Sequence, residues 1–211
     1  MKRKINNLFG IILPHKKINI FIFTIIIIGI TSGSIFASVI NVNDKNLVIE
    51  KIKIFLENIN NNSLNSLIVL KNSLSINLIY SIIIFLFGMT VIGLLVIIIL
   101  LFIKSFTLGF TIASFIVSYN AKGLFISFIY LLFGEILNIF SILFLTAYSI
   151  TFTLKLLKLI FKDNMHNHDL LSYFRKYLLV FGLALIINGL SAISEAFILP
   201  SLIKLIIKIY V

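Results

Sequence analysis

The last long apolar run of the chain reads Ala184-Leu-Ile-Ile-Asn-Gly-Leu-Ser-Ala-Ile-Ser-Glu-Ala-Phe-Ile-Leu-Pro200. With the apolar residues just before it, this run exceeds the roughly 18 residues that predict a membrane-spanning helix. Its one charged side chain is Glu195. A carboxylate at the bilayer centre costs about 2.5 kcal/mol or more, so it normally faces protein, a partner or water. Glu195 is therefore the first candidate functional residue.

The whole chain has the same character as this run. Of its 211 residues, 60% are hydrophobic and 12% are charged, and the mean hydropathy is +1.16. No hydrophilic segment reaches the roughly 50 residues of a separate soluble domain. We therefore predict an all-α integral membrane protein with a single membrane domain over residues 1–211.

Two further features of the composition exclude classes of function. The chain has no cysteine, which removes disulfides, thiol nucleophiles and iron–sulfur ligation. The formal net charge is +11, but the lysines and arginines stand at the ends of apolar runs and do not form one basic face. We therefore expect the lipid bilayer, and no nucleic acid, as a partner.

The hydropathy pattern predicts a bundle of about five transmembrane helices, with an amphipathic external segment after the first. The expected spans are about 18–40, 76–103, 105–119, 123–154 and 177–199. Between them we expect an external segment 41–75, a turn at Lys104 and a cytoplasmic basic loop 155–176. The positive-inside bias places the N-terminus in the cytoplasm and the C-terminus outside. The first span is longer than the apolar core of a signal peptide, about 7 to 15 residues, and is expected to be a retained anchor.

Small residues recur every four positions on two of these spans. Such spacing lets helix backbones approach closely, so it predicts helix-packing faces. We expect packing within the chain, with homo-oligomerisation as the alternative. The residues are Gly29, Gly33 and Ala37 on the first span, and Ser105, Gly109 and Ala113 on the third.

Polar side chains form a stripe on each of the last two spans. Asn188, Ser191 and Glu195 are spaced three and four apart and share one helix face, and Glu135 and Asn138 share a face of the preceding span. Glu195 then either hydrogen-bonds inside the bundle, for example to Asn138, or receives a transmembrane segment of a partner. We favour the first, because polar residues in membranes are mostly satisfied within the bundle.

The predicted spans hold no catalytic constellation. They contain no nucleophile–base pair, metal-ligand cluster or glycine-rich phosphate loop, so we expect neither an enzyme nor a cofactor. The two histidines of Met165-His-Asn-His-Asp169 match metal-ligand spacing poorly. An intramembrane hydrolase using Ser191 or Ser194 would need a His or Lys base that the predicted spans lack. The main alternative is a small transporter or channel with a polar cavity between the two polar stripes.

Four segments, in chain order, resemble signatures of the stage II sporulation protein M family. The resemblance covers nearly the whole chain and is strongest from about residue 100 to 200. The segments are Phe102-Ile-Lys-Ser-Phe-Thr-Leu-Gly-Phe-Thr111, Ala121-Lys-Gly123, Thr153-Leu-Lys-Leu-Leu157 and Gly189-Leu-Ser-Ala-Ile-Ser-Glu-Ala-Phe-Ile-Leu-Pro200.

The resemblance implies a role in engulfment of the forespore during endospore formation. Family members are non-enzymatic scaffolds in the mother-cell membrane at the sporulation septum. They anchor and localise a peptidoglycan-degrading complex that contains stage II sporulation proteins D and P. The glutamate and proline of the family's last span correspond to Glu195 and Pro200. The chain departs from its relatives at Phe133-Gly-Glu-Ile-Leu-Asn138, where they often carry proline or histidine.

Overall fold

The computed structural model describes residues 16–162 and 167–209, and these residues are almost entirely helical, with no strand. Two π-helical turns, Tyr130–Glu135 and Ser194–Ile198, interrupt the α-helices. The α-helices are α1 (Lys16–Val39), α2 (Val42–Asn60), α3 (Ser66–Gly88), α4 (Gly93–Ile129), α5 (Ile136–Lys162), α6 (Asn167–Ile193) and α7 (Leu199–Ile209).

Within the described residues, four continuous helical stretches are long and apolar enough to cross a membrane. They are Lys16–Val39, Ser66–Gly88, Gly93–Phe161 and Leu171–Ile207. The third is 69 residues long, which as a straight helix would extend about 100 Å, three times the hydrocarbon thickness. A single crossing cannot accommodate it.

The chain in fact reverses inside α4. Asn120 has a non-helical backbone with φ 48° and ψ −122°, and asparagine is one of the few residues that tolerate a positive φ. The rings of Phe115 and Tyr130 are only 5.9 Å apart, where a straight helix would separate them by about 22 Å. A side chain at Gly123 would clash with the Phe115 carbonyl oxygen. Residues 93–119 and 121–129 are thus two arms of a hairpin, and the first arm ends where the sequence predicted.

The predicted turn at Lys104 is wrong. Helix α3 ends at Gly88 and α4 begins at Gly93, so the chain turns at 89–92 and Lys104 lies within α4. The prediction assumed that a lysine stays in the membrane interior only at high cost. Here Glu135 neutralises that charge, with Lys104 Nζ 3.1 Å from Glu135 Oε2. Helix α3 begins at Ser66, so the helix that contains the predicted second span starts before residue 76.

The predicted cytoplasmic loop 155–176 is largely helical. Helix α5 continues to Lys162 and α6 begins at Asn167. Charged side chains end the apolar pattern without ending the helix, because a helix can extend past the hydrocarbon into water. The side chains of Met165–Asp169, which include the histidine pair, lie outside the described residues.

Side chains of α5 and α6 satisfy the backbone at the end of α3. The last carbonyls of a helix have no partner within it, and hydrocarbon supplies none. The hydroxyl of Tyr177, a fully buried residue, lies 2.9 Å from the Phe85 carbonyl oxygen and 2.7 Å from Ser149 Oγ. Thr153 donates to the Gly88 carbonyl at 2.8 Å. These contacts fix α3, α5 and α6 relative to one another.

The small-residue faces of α1 and α4 pack against each other. A Cβ atom at Gly29 would lie 2.6 Å from Ser105 Cβ. One at Gly33 would clash with the Phe106 carbonyl oxygen, and one at Gly109 with the Ile30 carbonyl oxygen. Both faces are therefore occupied within the chain. Ala37 and Ala113 are also buried.

The amphipathic helix α2 closes one end of the bundle. Its buried Leu56 and Ile59 pack in one cluster with Phe115 and Ile126 of the α4 hairpin and with Ile203 of α7. The Lys53, Glu50 and Glu57 side of α2 is exposed. The apolar face predicted for this segment is thus the one that contacts the bundle.

We expect Gly33→Ala to lower the free energy of unfolding by about 1 to 3 kcal/mol, because the added methyl group pushes α1 away from α4. Gly182→Ala is the matched control, since a Cβ atom there meets nothing within 4 Å. Unfolding of the purified protein by SDS in mixed micelles, followed by circular dichroism, measures both. Equal stability of the two variants would contradict the packing described.

Candidate functional site

The two π-helical turns lie side by side and are joined by serine hydroxyls. Ser191 donates to the Gly134 carbonyl at 3.1 Å, and Ser194 donates to the Phe133 carbonyl at 2.5 Å. Wide turns of this kind expose backbone carbonyls and are frequent at functional sites. The two serines therefore connect the last long helix to the turn that carries Glu135.

Pro200 accounts for the second wide turn. Proline has no N–H, and in an α-helix its ring clashes with the carbonyl four residues earlier. Just before it, the Leu199 N–H bonds to the Ser194 carbonyl five residues back, as in a π-helix. Pro200 thus favours a widened turn, and Glu195 lies within that turn.

A buried ion pair forms one end of a polar network. Lys104 Nζ lies 3.3 Å from Glu135 Oε1 and 3.1 Å from Oε2. The two side chains are 14% and 12% exposed. Tyr130 donates to Glu135 Oε1 at 3.0 Å, and Asn138 donates to Oε2 at 3.2 Å. The carboxylate of Glu135 therefore receives hydrogen bonds from three side chains, which offset its removal from water.

Amides and a serine carry the network on to Glu195. Asn138 Nδ2 donates to Asn77 Oδ1 at 2.7 Å. Asn77 Nδ2 lies 3.4 Å from Ser73 Oγ, and the Ser73 hydroxyl donates to Glu195 Oε2. Glu135 and Glu195 are thus linked through α3 and not by a direct contact.

Asn188 joins the same stripe of α3 one turn further along. Its Nδ2 donates to Ser81 Oγ at 2.7 Å and to the Asn77 carbonyl at 3.3 Å. The side-chain oxygens of Asn138 and Asn188 have no hydrogen-bond partner among the described residues. An unpaired buried acceptor costs about 1 to 3 kcal/mol, so these two oxygens lower the stability of the bundle.

The structure brings the predicted polar residues into one cluster and adds others that the sequence analysis missed. Its predicted members are Glu135, Asn138, Asn188, Ser191 and Glu195, and the additional ones are Ser73, Asn77, Ser81, Lys104 and Tyr130. The four-residue spacing of Ser73, Asn77 and Ser81 places them on one helix face. That stripe was a readable signal, but part of it fell in the segment expected outside the membrane.

Much of the network is sealed from the surface, since Ser81, Asn138, Asn188 and Ser191 are at most 1% exposed. A cavity beside Lys104, of about 20 Å³, has room for roughly one water molecule. The described residues contain no group of three or more His, Cys, Asp or Glu side chains suited to a metal ion. Chemically, the arrangement can hold helices together and exchange hydrogen bonds.

These features define a class: a multi-pass helical membrane protein whose buried polar side chains connect its helices. The family model described as Stage II sporulation protein M matches residues 20–200. The chain therefore belongs to the stage II sporulation protein M family, as its sequence signatures predicted, and is a sporulation-related membrane protein. Comparison with curated proteins and with solved structures gave no match.

We expect Glu135→Leu to destabilise the protein by about 3 to 5 kcal/mol, because it leaves Lys104 buried without a counter-charge. Lys104→Met should be less harmful, since Tyr130 and Asn138 still donate to Glu135. The double variant should cost less than the sum of the two single changes. SDS unfolding in mixed micelles measures all three, and additive costs would show that the pair does not interact.

Proposed function

We propose that this protein is a non-enzymatic membrane scaffold that anchors and localises a peptidoglycan-degrading complex during engulfment of the forespore. The observation that carries this proposal is the polar network. Among the described residues, it bonds Lys104, Glu135 and Glu195 to groups on other helices and thereby connects α3, the α4 hairpin, both π-helical turns and α5. An interior of this kind supports a rigid platform.

The proposed platform crosses the membrane five times, with its N-terminus in the cytoplasm. The 89–92 turn and the basic ends of α5 and α6 then lie on the cytoplasmic side. Helix α2, the Asn120 reversal and α7 lie on the outer side, where they already pack together. This arrangement satisfies the positive-inside bias with the lysines of α5, which the structure gathers at one end.

Single cysteines test this topology cleanly, because the chain has none of its own. Asn61, Thr90 and Ala121 are exposed. We expect Asn61→Cys and Ala121→Cys to react with a membrane-impermeant maleimide in intact cells, and Thr90→Cys to react only after permeabilisation. Labelling of all three cysteines in intact cells would contradict five crossings, and labelling of Thr90→Cys alone would reverse the orientation.

The proposed docking surface is a groove on the outer side, because the wall-degrading partners implied by the family act outside the cytoplasm. The groove has a volume of about 260 Å³. It lies between α2, the α4 hairpin and α7, with apolar walls and a charged rim. Its lining residues are Lys53, Leu56, Glu57, Asn60, Tyr119, Lys122, Ile126, Ile206 and Ile207.

We assign Glu195 to the interior of the platform and not to partner capture. Ser73, a buried residue of the same chain, already donates to its carboxylate. Glu195→Gln keeps an oxygen that can accept this hydrogen bond. The alternative function, transport through a polar cavity, would need a water-filled space between the two glutamates, whereas hydrogen-bonded amides and a serine connect them.

We expect stage II sporulation proteins D and P to co-purify with the tagged full-length protein from sporulating cells in mild detergent. Asn60→Arg should reduce their recovery severalfold, because it places a long charged side chain in the outer groove. Asn46→Arg is the matched control on an exposed position of α2 outside the groove. Quantitative immunoblotting of the eluates provides the measurement.

Glu195→Gln, measured in the same experiment, distinguishes a structural role of the carboxylate inside the bundle from a role in partner capture. We expect both the protein level and the recovery of the partners to stay at the unmodified level. A normal protein level with no partner recovered would assign partner capture to Glu195. Absence of both partners from the unmodified protein would overturn the scaffold proposal.

A further inference from the structure

Lysines converge on a cavity at the end of the bundle opposite α2. The cavity lies between the start of α1 and the second half of α5 and has a volume of about 530 Å³. This volume is within the range of about 300 to 1,000 Å³ that is usual for ligand pockets. The seven lining residues include four lysines and no acid: Lys16, Lys17, Ile18, Thr151, Leu154, Lys155 and Lys158.

A tyrosine of α6 positions one of these lysines. The ammonium group of Lys155 lies over the ring of Tyr173, and Lys176 Nζ is 5.7 Å from the centroid of the same ring. An aromatic face attracts a cation. Tyr173 therefore holds Lys155 at the cavity, although the nearby ammonium group of Lys176 repels it.

No described carboxylate neutralises this cluster. The acidic side chains that the structure describes lie on α2, at the other end of the bundle, or within the polar network: Asp44, Glu50, Glu57, Glu135 and Glu195. Neighbouring ammonium groups repel one another, so an anion bound among them would be stabilised by several charges at once.

The walls of the cavity indicate what kind of anion fits. Ile18 and Leu154 are apolar lining residues beside the lysines, and both belong to helices long and apolar enough to span a membrane. A ligand that fills the cavity thus needs a negative head and an apolar body. Basic pockets between transmembrane helices are suited to acidic lipid headgroups.

We propose that this cavity binds the phosphate-bearing headgroup of an anionic phospholipid. The four lysines contact the phosphate, and the acyl chains leave along Ile18 and Leu154 into the bilayer. This site is independent of the polar network and of the scaffold function.

Lipid quenching of a single tryptophan tests the proposal directly, because the chain has no tryptophan. Leu154→Trp places the reporter in the cavity wall, and Leu179→Trp places a control on the lipid-facing side of α6, where the leucine is 68% exposed. Each full-length variant is reconstituted with brominated phosphatidylglycerol or brominated phosphatidylcholine. We expect the Leu154→Trp reporter to be quenched at a severalfold lower fraction of the anionic lipid, and the Leu179→Trp reporter to show no preference.

Charge variants then identify the groups that bind. In the Leu154→Trp background, replacing Lys16, Lys155 and Lys158 by glutamine should weaken the preference by about fivefold for each lysine removed. Lys51→Gln, on the exposed side of α2 at the opposite end of the bundle, should leave it unchanged.

Two results would overturn the proposal. Equal quenching of the Leu154→Trp reporter by the two lipids would do so, in a variant whose unfolding by SDS matches that of the unmodified protein. Loss of the reporter's preference for the anionic lipid in millimolar inorganic phosphate at constant ionic strength would show that the site prefers free phosphate to a lipid headgroup.

Discussion

The ion pair between Lys104 and Glu135 is the interaction on which the interior depends. Hydrocarbon offers no hydrogen-bond partner and no screening, so each buried charge must find its partner within the protein. With side chains only 14% and 12% exposed, the pair brings the α4 hairpin onto the first π-helical turn. Tyr130 and Asn138 fill the remaining positions around the carboxylate. The backbone can widen into a π-helical turn here because these contacts hold it.

The rest of the bundle follows from the same constraint on polar groups. Helix α3 has a stripe of Ser73, Asn77 and Ser81 on one face, and this stripe bonds both to α5 and to the last long helix. Its final carbonyls are satisfied by hydroxyls from α5 and α6. Close backbone packing of glycines fixes α1 on α4. The interior is therefore ordered by hydrogen bonds and close contact, as expected where lipid is as apolar as the protein.

Much of this arrangement could be predicted from the sequence, and the errors have a common cause. The all-helical class, the α1 and α4 packing faces, the reversal near residue 120 and the polar face of Asn188, Ser191 and Glu195 were readable from local spacing. The position of the turn before α4 could not be predicted from local spacing. Lys104 looks like a residue at a membrane surface until its partner, 31 positions later, is known. The role of Ser73 was not readable either, since its partner Glu195 lies 122 positions later.

The sequence by itself determined that this protein is a helical membrane protein, and its ordered signatures indicated its family, because hydropathy, small-residue spacing and motif order are local properties. Tertiary structure decided which charges belong inside, because the cost of burying a charge depends on its partner. It also decided that the lysines at the start of α1 and those of α5 share one cavity, although more than 130 positions separate them in the chain. In the sequence, Glu195 is an isolated carboxylate in an apolar run. In the structure, it is one end of a continuous hydrogen-bonded network.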